Sequence, residues 1–417
     1  MKFYVEVYGC TANKSDANLV RGLIHNHTQH LLVSSIKDAD ILIILTCTVI
    51  STTEQRMLHR IKELMQTQKK LVIAGCMASV QQQLLKKKFP TALLVSPRKI
   101  HLLFDLLAGR NKDESLNQKA LAPKQCTGLI APIAIAEGCL FSCSYCITNL
   151  ARGKLFSYPY QAVFNAVNNA INQGCKEIQL TAQDTASYGL DQGLSLPGLL
   201  DKIVRINRDY MIRVGMMNPR TVKTILPDLI HSYKNDHIFS FLHLPIQSGD
   251  NTILQKMNRG YHVEEAIHII KSFQAELPEL TIATDVIVGF PTETEEQFQR
   301  TKQLLELIKP DVVNITRFSA RPLTKAKTMG GRIPTEIVKD RSRQLTQFCS
   351  HLITEKNKGF IGKSLQVLTL KKGKENTFIC RSMNYKPVII QDTVPVGERR
   401  IIKITDATET HLVGMLK

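Results

Sequence analysis

The sequence lacks any apolar run long enough to cross a membrane. No run approaches the roughly 20 apolar residues that a spanning helix needs. It also lacks a secretory signal, because only Met1 and Lys2 precede the first strand-like segment, FYVEVY (3–8). These absences predict a soluble, cytoplasmic protein with no membrane partner.

Acidic residues are also scarce, 36 against 54 Lys and Arg, which gives a formal net charge of +18. Such a surplus either solvates the surface or indicates a polyanionic partner, because phosphate contacts dominate nucleic-acid affinity. Apolar residues form 43% of the 417-residue chain, enough for the cores of two or three domains. The ten cysteines do not predict disulfides in a reducing cytosol, so regularly spaced ones indicate metal binding or catalysis.

The apolar runs predict an α/β chain with three regions. In 1–108, strand-like runs alternate with amphipathic stretches, as in a parallel sheet with helical crossovers. In 125–355, six runs alternate with helical patterns, as in a partial (β/α)6 TIM-like barrel with its chemistry on the loops after the strands. In 356–417, short strands separated by Gly and Lys turns predict a small all-β barrel. The runs are FYVEVY, ILIIL and LVIAG, then LIAPIAIA, EIQLTA, MIRVGMM, FSFLHLPI, IATDVIVGF and VVNITRF.

Three local patterns complete this outline. The polar stretch GRNKDESLNQK (109–119) predicts a linker, and Thr294 with Gln297 has the spacing of a capping box at a helix start. The histidines of HNHTQH (25–30) are close enough to bind a metal. No carboxylate or cysteine accompanies them, so we expect no metal site there.

Three cysteines share one short loop, EGCLFSCSYC (137–146), with the spacing C-x3-C-x2-C. This loop triad, Cys139, Cys143 and Cys146, follows the first predicted barrel strand, where such folds bind ligands. A structural zinc site usually takes four ligands, and no second cysteine pair lies nearby. A [4Fe–4S] cluster held by three thiolates leaves one iron open, as a catalytic centre requires. The spacing therefore favours such a cluster over zinc or unrelated buried cysteines.

Three further cysteines, Cys10, Cys47 and Cys76, have no regular spacing but share a position. Each lies within two residues of the end of an apolar run. Because parallel strands end at the same edge of a sheet, where ligands bind, we expect these thiols to converge. The alternative is three ordinary buried cysteines. We call this set the strand-end triad.

The loop triad, with the aromatic Tyr145 before its last cysteine, resembles the radical-SAM signature. From about residue 3 to its end the chain resembles the radical-SAM methylthiotransferases, and within them the archaeal and eukaryotic branch that modifies N6-threonylcarbamoyladenosine in tRNA. It departs from the usual pattern at Leu45, where many members have asparagine, and at Ala182, where glycine is common. The resembling segments are YGCTANKSD, LTCTVISTTEQRM, VIAGCMA, LTAQDTASYG, RVGMMNP, FLHLPIQSGD, TDVIVGFPTETEEQF and NITRFSARPLTKA.

The resemblance implies two [4Fe–4S] clusters. One, on the loop triad, binds S-adenosylmethionine through its open iron and generates a 5′-deoxyadenosyl radical. The other, on the strand-end triad, binds a sulfur source, and one S-adenosylmethionine methylates that sulfur while a second activates the substrate carbon. An electron donor is required as well.

The resemblance also implies that 356–417 is an RNA-binding TRAM module. This segment carries 12 Lys or Arg against 5 Asp or Glu, in agreement with a tRNA partner; we expect no DNA partner.

Four further residues are candidates for binding the cofactor. The backbone at Tyr145 is placed to meet the adenine, Gln183 and Asp184 end the second barrel strand, and Gln247 lies just beyond the fourth. Each could instead be a satisfied polar turn residue. Arg152, just after the loop, could meet a phosphate or be solvated.

The implied function is a tRNA methylthiotransferase that converts N6-threonylcarbamoyladenosine at position 37, beside the anticodon, to its 2-methylthio derivative. One alternative is another acceptor, either isopentenyladenosine in tRNA or an aspartate of a ribosomal protein. A different class of function is a non-catalytic iron–sulfur protein that binds RNA and senses redox state.

Overall fold

The computed structural model describes residues 1–110 and 112–417, which form two compact units. The first contains Met1–Arg208 and Ser319–Lys327, and the second contains Asp209–Phe318 and Thr328–Lys417. Among the described residues, no helix combines the length and the apolar character that a bilayer-spanning segment requires.

The first unit alternates strands and helices along the chain. Its strands are β1 Lys2–Val7, β2 Leu31–Leu32, β3 Ile41–Thr46, β4 Lys70–Gly75, β5 Leu93–Val95, β6 Ile130–Ala134, β7 Ala136–Glu137, β8 Phe156–Ser157 and β9 Glu177–Thr181. Its helices are α1 Thr11–His25, α2 Ser51–Met65, α3 Cys76–Val80, α4 Gln82–Lys88, α5 Leu103–Leu107, α6 Leu116–Leu121, α7 Ile147–Arg152, α8 Tyr160–Asn172 and α9 Leu196–Ile203.

The first five strands form a parallel sheet in the order β2-β1-β3-β4-β5. Every residue of the central strand β3 is buried, as expected for a parallel strand covered by helices on both faces. Successive side chains of β3 enter two separate cores, with Ile43 packed beside Phe3 and Leu42 packed beside Leu71. The predicted parallel α/β region is therefore confirmed.

The segment after this sheet differs from the predicted linker at 109–119. Asn111 lies outside the described residues, but α6 begins at Leu116, capped by the Ser115 hydroxyl, which accepts a hydrogen bond from the Gln118 backbone N–H. Lys119 in α6 is buried and forms ion pairs with two carboxylates. The polar composition of the stretch therefore predicted a linker where its last four residues belong to a packed helix. Beyond it, β6 pairs with β9 in parallel, and β7 pairs with β8 antiparallel.

The second unit contains the remaining elements. Its strands are β10 Met211–Val214, β11 Phe241–His243, β12 Thr281–Val288, β13 Val312–Arg317, β14 Ser364–Lys372, β15 Phe378–Ser382, β16 Pro387–Ile390, β17 Arg399–Ala407 and β18 Leu412–Leu416. Its helices are α10 Pro219–Val222, α11 Leu226–Tyr233, α12 Asn251–Lys256, α13 Val263–Glu276, α14 Glu295–Ile308 and α15 Thr335–Lys358.

This unit combines a parallel sheet, β11-β12-β13, with a closed barrel in the order β14-β15-β16-β18-β17. Closure pairs the edges of the barrel, and alternate residues such as Ile402 and Ile404 fill its interior while Lys403 faces outward. The predicted terminal barrel is thus confirmed. The capping box is confirmed too, because Thr294 and Gln297 exchange side-chain-to-backbone hydrogen bonds at the start of α14.

The six predicted strands of the middle region are present as β6, β9, β10, β11, β12 and β13. Two histidines of the 25–30 stretch belong to an aromatic cluster. The rings of His27 and His30 pack against Phe104 at centroid distances of 4.5 and 4.8 Å.

His101 gives the first unit a pH-dependent stability. It lies in a 3₁₀ turn, Pro97–Leu102, where burial, aided by the charge of Lys119, lowers its pKa to about 4. The unfolded value is about 6.5, so between these values the unfolded chain binds more protons than the folded one. Stability should therefore fall as pH drops from about 6.5 towards 4. We expect His101→Gln to lose less stability than the wild type over this window, measured as thermal unfolding midpoints.

The matched control is His25→Gln, which removes an exposed histidine from α1. Its pH profile should follow the wild type. Parallel profiles for wild type and His101→Gln would show that His101 is not the group that titrates.

Candidate active site

The strand-end triad lies at one edge of the parallel sheet. Cys10 lies three residues after the end of β1 and directly precedes α1, Cys47 directly follows β3, and Cys76 is the first residue of α3 after β4. Because β1, β3 and β4 are neighbours in the sheet, their carboxyl ends are adjacent. Cys10 acts electrostatically on Cys47, and both act on Cys76. The three cysteines therefore lie at one sheet edge, as expected from the sequence.

Two backbone features hold Cys10 close to Cys47. Gly9 has φ +98°, and a Cβ at this position would lie 2.8 Å from Cβ and 3.3 Å from Sγ of Cys47. Only glycine permits both this conformation and this approach. Asn13 fixes the same corner, since its side-chain amide donates to the carbonyl oxygens of Tyr8 at 2.8 Å and Thr46 at 2.9 Å.

Burial strongly favours the protonated form of the triad's inner thiols. Cys76 is only 4% exposed, and burial raises its pKa to about 12 although the nearby Arg152 guanidinium acts in the opposite direction. Burial also raises the pKa of Cys47. Thiolate ligands must be deprotonated, so a metal bound here would displace protons from these sulfurs.

The loop triad lies between β7 and α7. The Cys139 backbone N–H donates to the carbonyl of Gly153 at 3.0 Å, and that of Cys146 donates to the carbonyl of Cys143 at 3.1 Å. Burial raises the pKa of Cys139 to about 12, with smaller contributions from Asp184, Cys146 and Cys143. The three thiols therefore converge within one short loop.

Backbone N–H groups point at several of these sulfurs. Phe141 donates to Cys139, Thr148 and Asn149 in the first turn of α7 donate to Cys146, and Thr48 and Val49 donate to Cys47. Such donors favour thiolate over thiol and tune sulfur ligands of iron–sulfur clusters. The donor chemistry of both triads therefore fits a cluster.

Among the described residues, no three His, Cys, Asp or Glu side chains are grouped to hold one metal ion. In a cubane cluster each thiolate binds a different iron. Three thiolates per triad fit a [4Fe–4S] cluster with one open iron. The ligand roles of the six cysteines remain predictions.

The predicted cofactor-binding residues fall into two groups. In the first unit, Tyr145 lies within the loop triad and Asp184 acts electrostatically on Cys139, while Gln183 has a buried Oε1 with no hydrogen-bond partner among the described residues. Asp184 also accepts a bond from the Ala186 backbone N–H at 3.2 Å. Gln247 lies in the second unit, where it has φ +81° and pairs with Val286 of β12. Their cofactor roles remain predictions.

Arg152 occupies neither environment considered from the sequence. Instead of meeting a phosphate or solvent, it is 2% exposed at the end of α7. Its guanidinium donates to Glu137 at 2.6 Å, Asp16 at 2.8 Å and Asn13 at 2.9 Å. Lys119 contacts the same two carboxylates, so two cations and two carboxylates form a buried, charge-balanced cluster. We call it the buried quartet.

A second polar cluster beside Cys47 was missed. Arg321 is 4% exposed, donates to the Thr48 hydroxyl at 2.9 Å and forms an ion pair with Glu54. Gln81 also donates to Thr48, at 3.1 Å. Cys10, Cys76 and Cys139 each follow a glycine, and all three glycines have positive φ. These Gly-Cys pairs are a sequence signal for the tight turns that position the cysteines. No comparable signal links Arg321 to Glu54, which lies 267 residues earlier.

Comparisons with known proteins agree with this arrangement. Residues 2–96 match the uncharacterized protein family UPF0004, and residues 133–305 match the radical SAM superfamily. The fold is similar to that of the radical S-adenosylmethionine methyltransferase TsrM from Kitasatospora setae, solved with cobalamin and a [4Fe–4S] cluster bound. The TM-score is 0.54 with 12% identity, and the match covers 78% of this chain and 76% of that one. This likeness supports the predicted fold class.

Two similar relatives are a probable threonylcarbamoyladenosine tRNA methylthiotransferase from Archaeoglobus fulgidus and a threonylcarbamoyladenosine tRNA methylthiotransferase from Drosophila melanogaster. The archaeal protein is 39% identical, with 100% of this chain and 99% of the relative covered. The fly protein is 32% identical, with 99% of this chain and 77% of the relative covered. The chain therefore belongs to the radical-SAM family of threonylcarbamoyladenosine tRNA methylthiotransferases.

Proposed function

We propose that this chain places a methylthio group on carbon 2 of N6-threonylcarbamoyladenosine at position 37 of tRNA. The observation that carries the proposal is that one compact unit holds both cysteine triads, with α7 between them. Cys146 precedes α7, and Arg152 at its end lowers the pKa of the Cys76 thiol. An aromatic hydrogen is neither acidic nor a leaving group, so its replacement by sulfur requires cofactor chemistry.

We propose that the loop triad, Cys139, Cys143 and Cys146, holds one [4Fe–4S] cluster and that the strand-end triad, Cys10, Cys47 and Cys76, holds another. When bound, these clusters and S-adenosylmethionine would supply the radical, the sulfur and the methyl group. The protein's part is to bind, orient and shield these groups. The backbone donors at Cys47, Cys139 and Cys146 would stabilise the thiolate ligands.

Side chains around the loop triad would position S-adenosylmethionine. The buried Oε1 of Gln183 can accept a hydrogen bond, and Asp184 places a carboxylate beside Cys139 that can accept from an amino or hydroxyl group. The backbone at Tyr145 would meet the adenine. We include Gln247 because a non-glycine residue in the left-handed region is uncommon and such residues cluster at functional sites.

The partner would be tRNA, bound through phosphates by the basic surface. Lys371, Lys372 and Lys374 are exposed at the end of β14, and the 356–417 segment is strongly basic. We propose that 1–108 carries the second cluster, 125–355 performs the radical chemistry and 356–417 binds RNA. An electron donor and a sulfur source are also required.

The function is tested by mass spectrometry of nucleosides after anaerobic incubation of the reconstituted protein with tRNA, S-adenosylmethionine and a reductant. The tRNA should carry threonylcarbamoyladenosine, and a second tRNA carrying isopentenyladenosine serves as the competing acceptor. We expect threonylcarbamoyladenosine to gain a methylthio group in place of hydrogen.

Two cysteine variants give this experiment its controls. Replacing the loop triad with alanines should abolish both 5′-deoxyadenosine and product, whereas replacing the strand-end triad should abolish the product and preserve 5′-deoxyadenosine. Exclusive modification of isopentenyladenosine would move the proposal to that acceptor. RNA binding without any 5′-deoxyadenosine would favour a redox sensor.

Gly138 provides a backbone test of the loop triad. It has φ +77°, and a Cβ would lie 2.1 Å from the carbonyl oxygen of Lys154 and 2.5 Å from that of Gly153. We expect Gly138→Ala to displace Cys139 and to lower the iron bound at the loop triad at least twofold, a rough estimate from the strain of such positions. The measurement is the iron content of Gly138→Ala in a protein whose strand-end triad is replaced by alanines, so that only iron at the loop triad is counted.

The matched control is Gly174→Ala. Gly174 also has positive φ, +91°, but a Cβ there would meet no atom within 4 Å. It should retain normal iron content. Equal iron in both variants would show that the close approach at Gly138 does not position the ligand.

A further inference from the structure

Arg152, the last residue of α7, acts electrostatically on the strand-end triad. Its guanidinium lowers the pKa of the Cys76 thiol, and it acts electrostatically on Cys10 and Cys47 as well. A fully buried cation that acts on all three thiols therefore belongs to the environment of any group those thiols hold. Its position follows from α7, whose Ala151 carbonyl accepts a 2.9 Å hydrogen bond from Ser79 of α3.

Three of the five N–H donors of Arg152 make hydrogen bonds to neighbouring side chains. Nη1 donates to Glu137, and Nη2 donates to Asp16 and Asn13. The Nε–H is buried and has no hydrogen-bond partner among the described residues. A buried donor of this kind is costly to leave unpaired, so its persistence indicates an acceptor supplied by a bound group.

The buried quartet explains why a cation is tolerated at this position. Arg152 and Lys119 balance the carboxylates of Asp16 and Glu137, all within 4% side-chain exposure. Burial alone would raise the pKa of Glu137, but Arg152 and Lys119 outweigh it and hold the pKa at about 2. The guanidinium is thus fixed by two carboxylates while its charge acts on the Cys76 thiol.

We propose that Arg152 is a positioning residue that donates its Nε–H to a sulfur of the cluster held by Cys10, Cys47 and Cys76. This inference rests on the proposed function, because it requires that cluster. A hydrogen bond from a cation to a cluster sulfur stabilises the reduced, more negative state and raises the reduction potential. Arginine suits the role because it remains protonated and directs its donors in fixed, planar geometry.

The same geometry assigns Lys119 a different role. Lys119 contacts the same two carboxylates and the carbonyl of Pro97, at 2.8 Å, and the charged groups that act most strongly on its ammonium are Asp16 and Glu137. It therefore supports the buried quartet, whereas Arg152 also acts on the strand-end triad. This difference provides a matched pair of variants, one on each side of the same carboxylates.

The test uses the full-length chain with the loop triad replaced by alanines, so that only the strand-end cluster contributes. Arg152→Lys keeps the charge but removes the Nε–H, and Lys119→Met disturbs the same carboxylates. Each reconstituted protein is titrated anaerobically and followed by electron paramagnetic resonance and by iron content. At the midpoint potential of the unsubstituted Arg152 protein, we expect Arg152→Lys to show a reduced-to-oxidised ratio lowered about tenfold, equivalent to about 59 mV for a one-electron couple. Lys119→Met, which keeps the Arg152 Nε–H, should shift the potential less than Arg152→Lys does.

Each outcome separates this inference from the proposed function. Absence of a cluster in the parental Arg152 protein would overturn the proposed function itself. A cluster with the same potential and spectrum in both Arg152 and Arg152→Lys proteins would overturn the inference alone. Loss of iron from Arg152→Lys with retention in Lys119→Met would support the contact, whereas equal loss in both would reduce Arg152 to a structural role.

Discussion

The parallel pairing of β1, β3 and β4 is the constraint on which the proposed site depends. Parallel strands end at the same sheet edge, and each of these three is followed within three residues by a cysteine. The chain must turn at once into a helix at that edge, as it does after Gly9 and Gly75, both with positive φ. Three cysteines far apart in sequence are thereby brought to one sheet edge by backbone geometry, and burial favours the protonated form of Cys47 and Cys76 until a metal displaces the protons.

Electrostatics then links this edge to the loop triad. Burying two cations and two carboxylates is expensive, and such clusters often contribute little net stability. We therefore infer that the buried quartet fixes the relative orientation of the elements that it joins and adds little to the free energy of unfolding. Its members come from α1, α6, β7 and α7, so the ion pairs define how these elements meet. Removing one charge would leave another buried charge uncompensated, which is strongly destabilising. All four residues are therefore needed together for these elements to meet in this way.

Much of the fold could be predicted because its signals are local. The apolar runs specified the strands, the capping box at Thr294 specified the start of α14, and strand ends specified the convergence of Cys10, Cys47 and Cys76. The misjudged features depend on partners distant in sequence. A lysine in a polar stretch reads as solvated, and only its contact with Asp16, 103 positions away by numbering, makes Lys119 a buried residue. The burial of Arg152 and of Arg321 could not be predicted for the same reason, because Asp16 and Glu54 lie 136 and 267 residues away in sequence.

The length of α7 connects these observations to the chemistry. The helix has six residues, which at about 1.5 Å per residue span about 9 Å between the loop-triad end and the Arg152 end. In the proposed reaction one base carbon must lose its hydrogen near the loop triad and receive sulfur from the strand-end triad. A spacing comparable to a nucleoside allows both events without release of the substrate. A short helix whose last residue is buried and held by two carboxylates keeps that spacing fixed, whereas an exposed linker would let it vary.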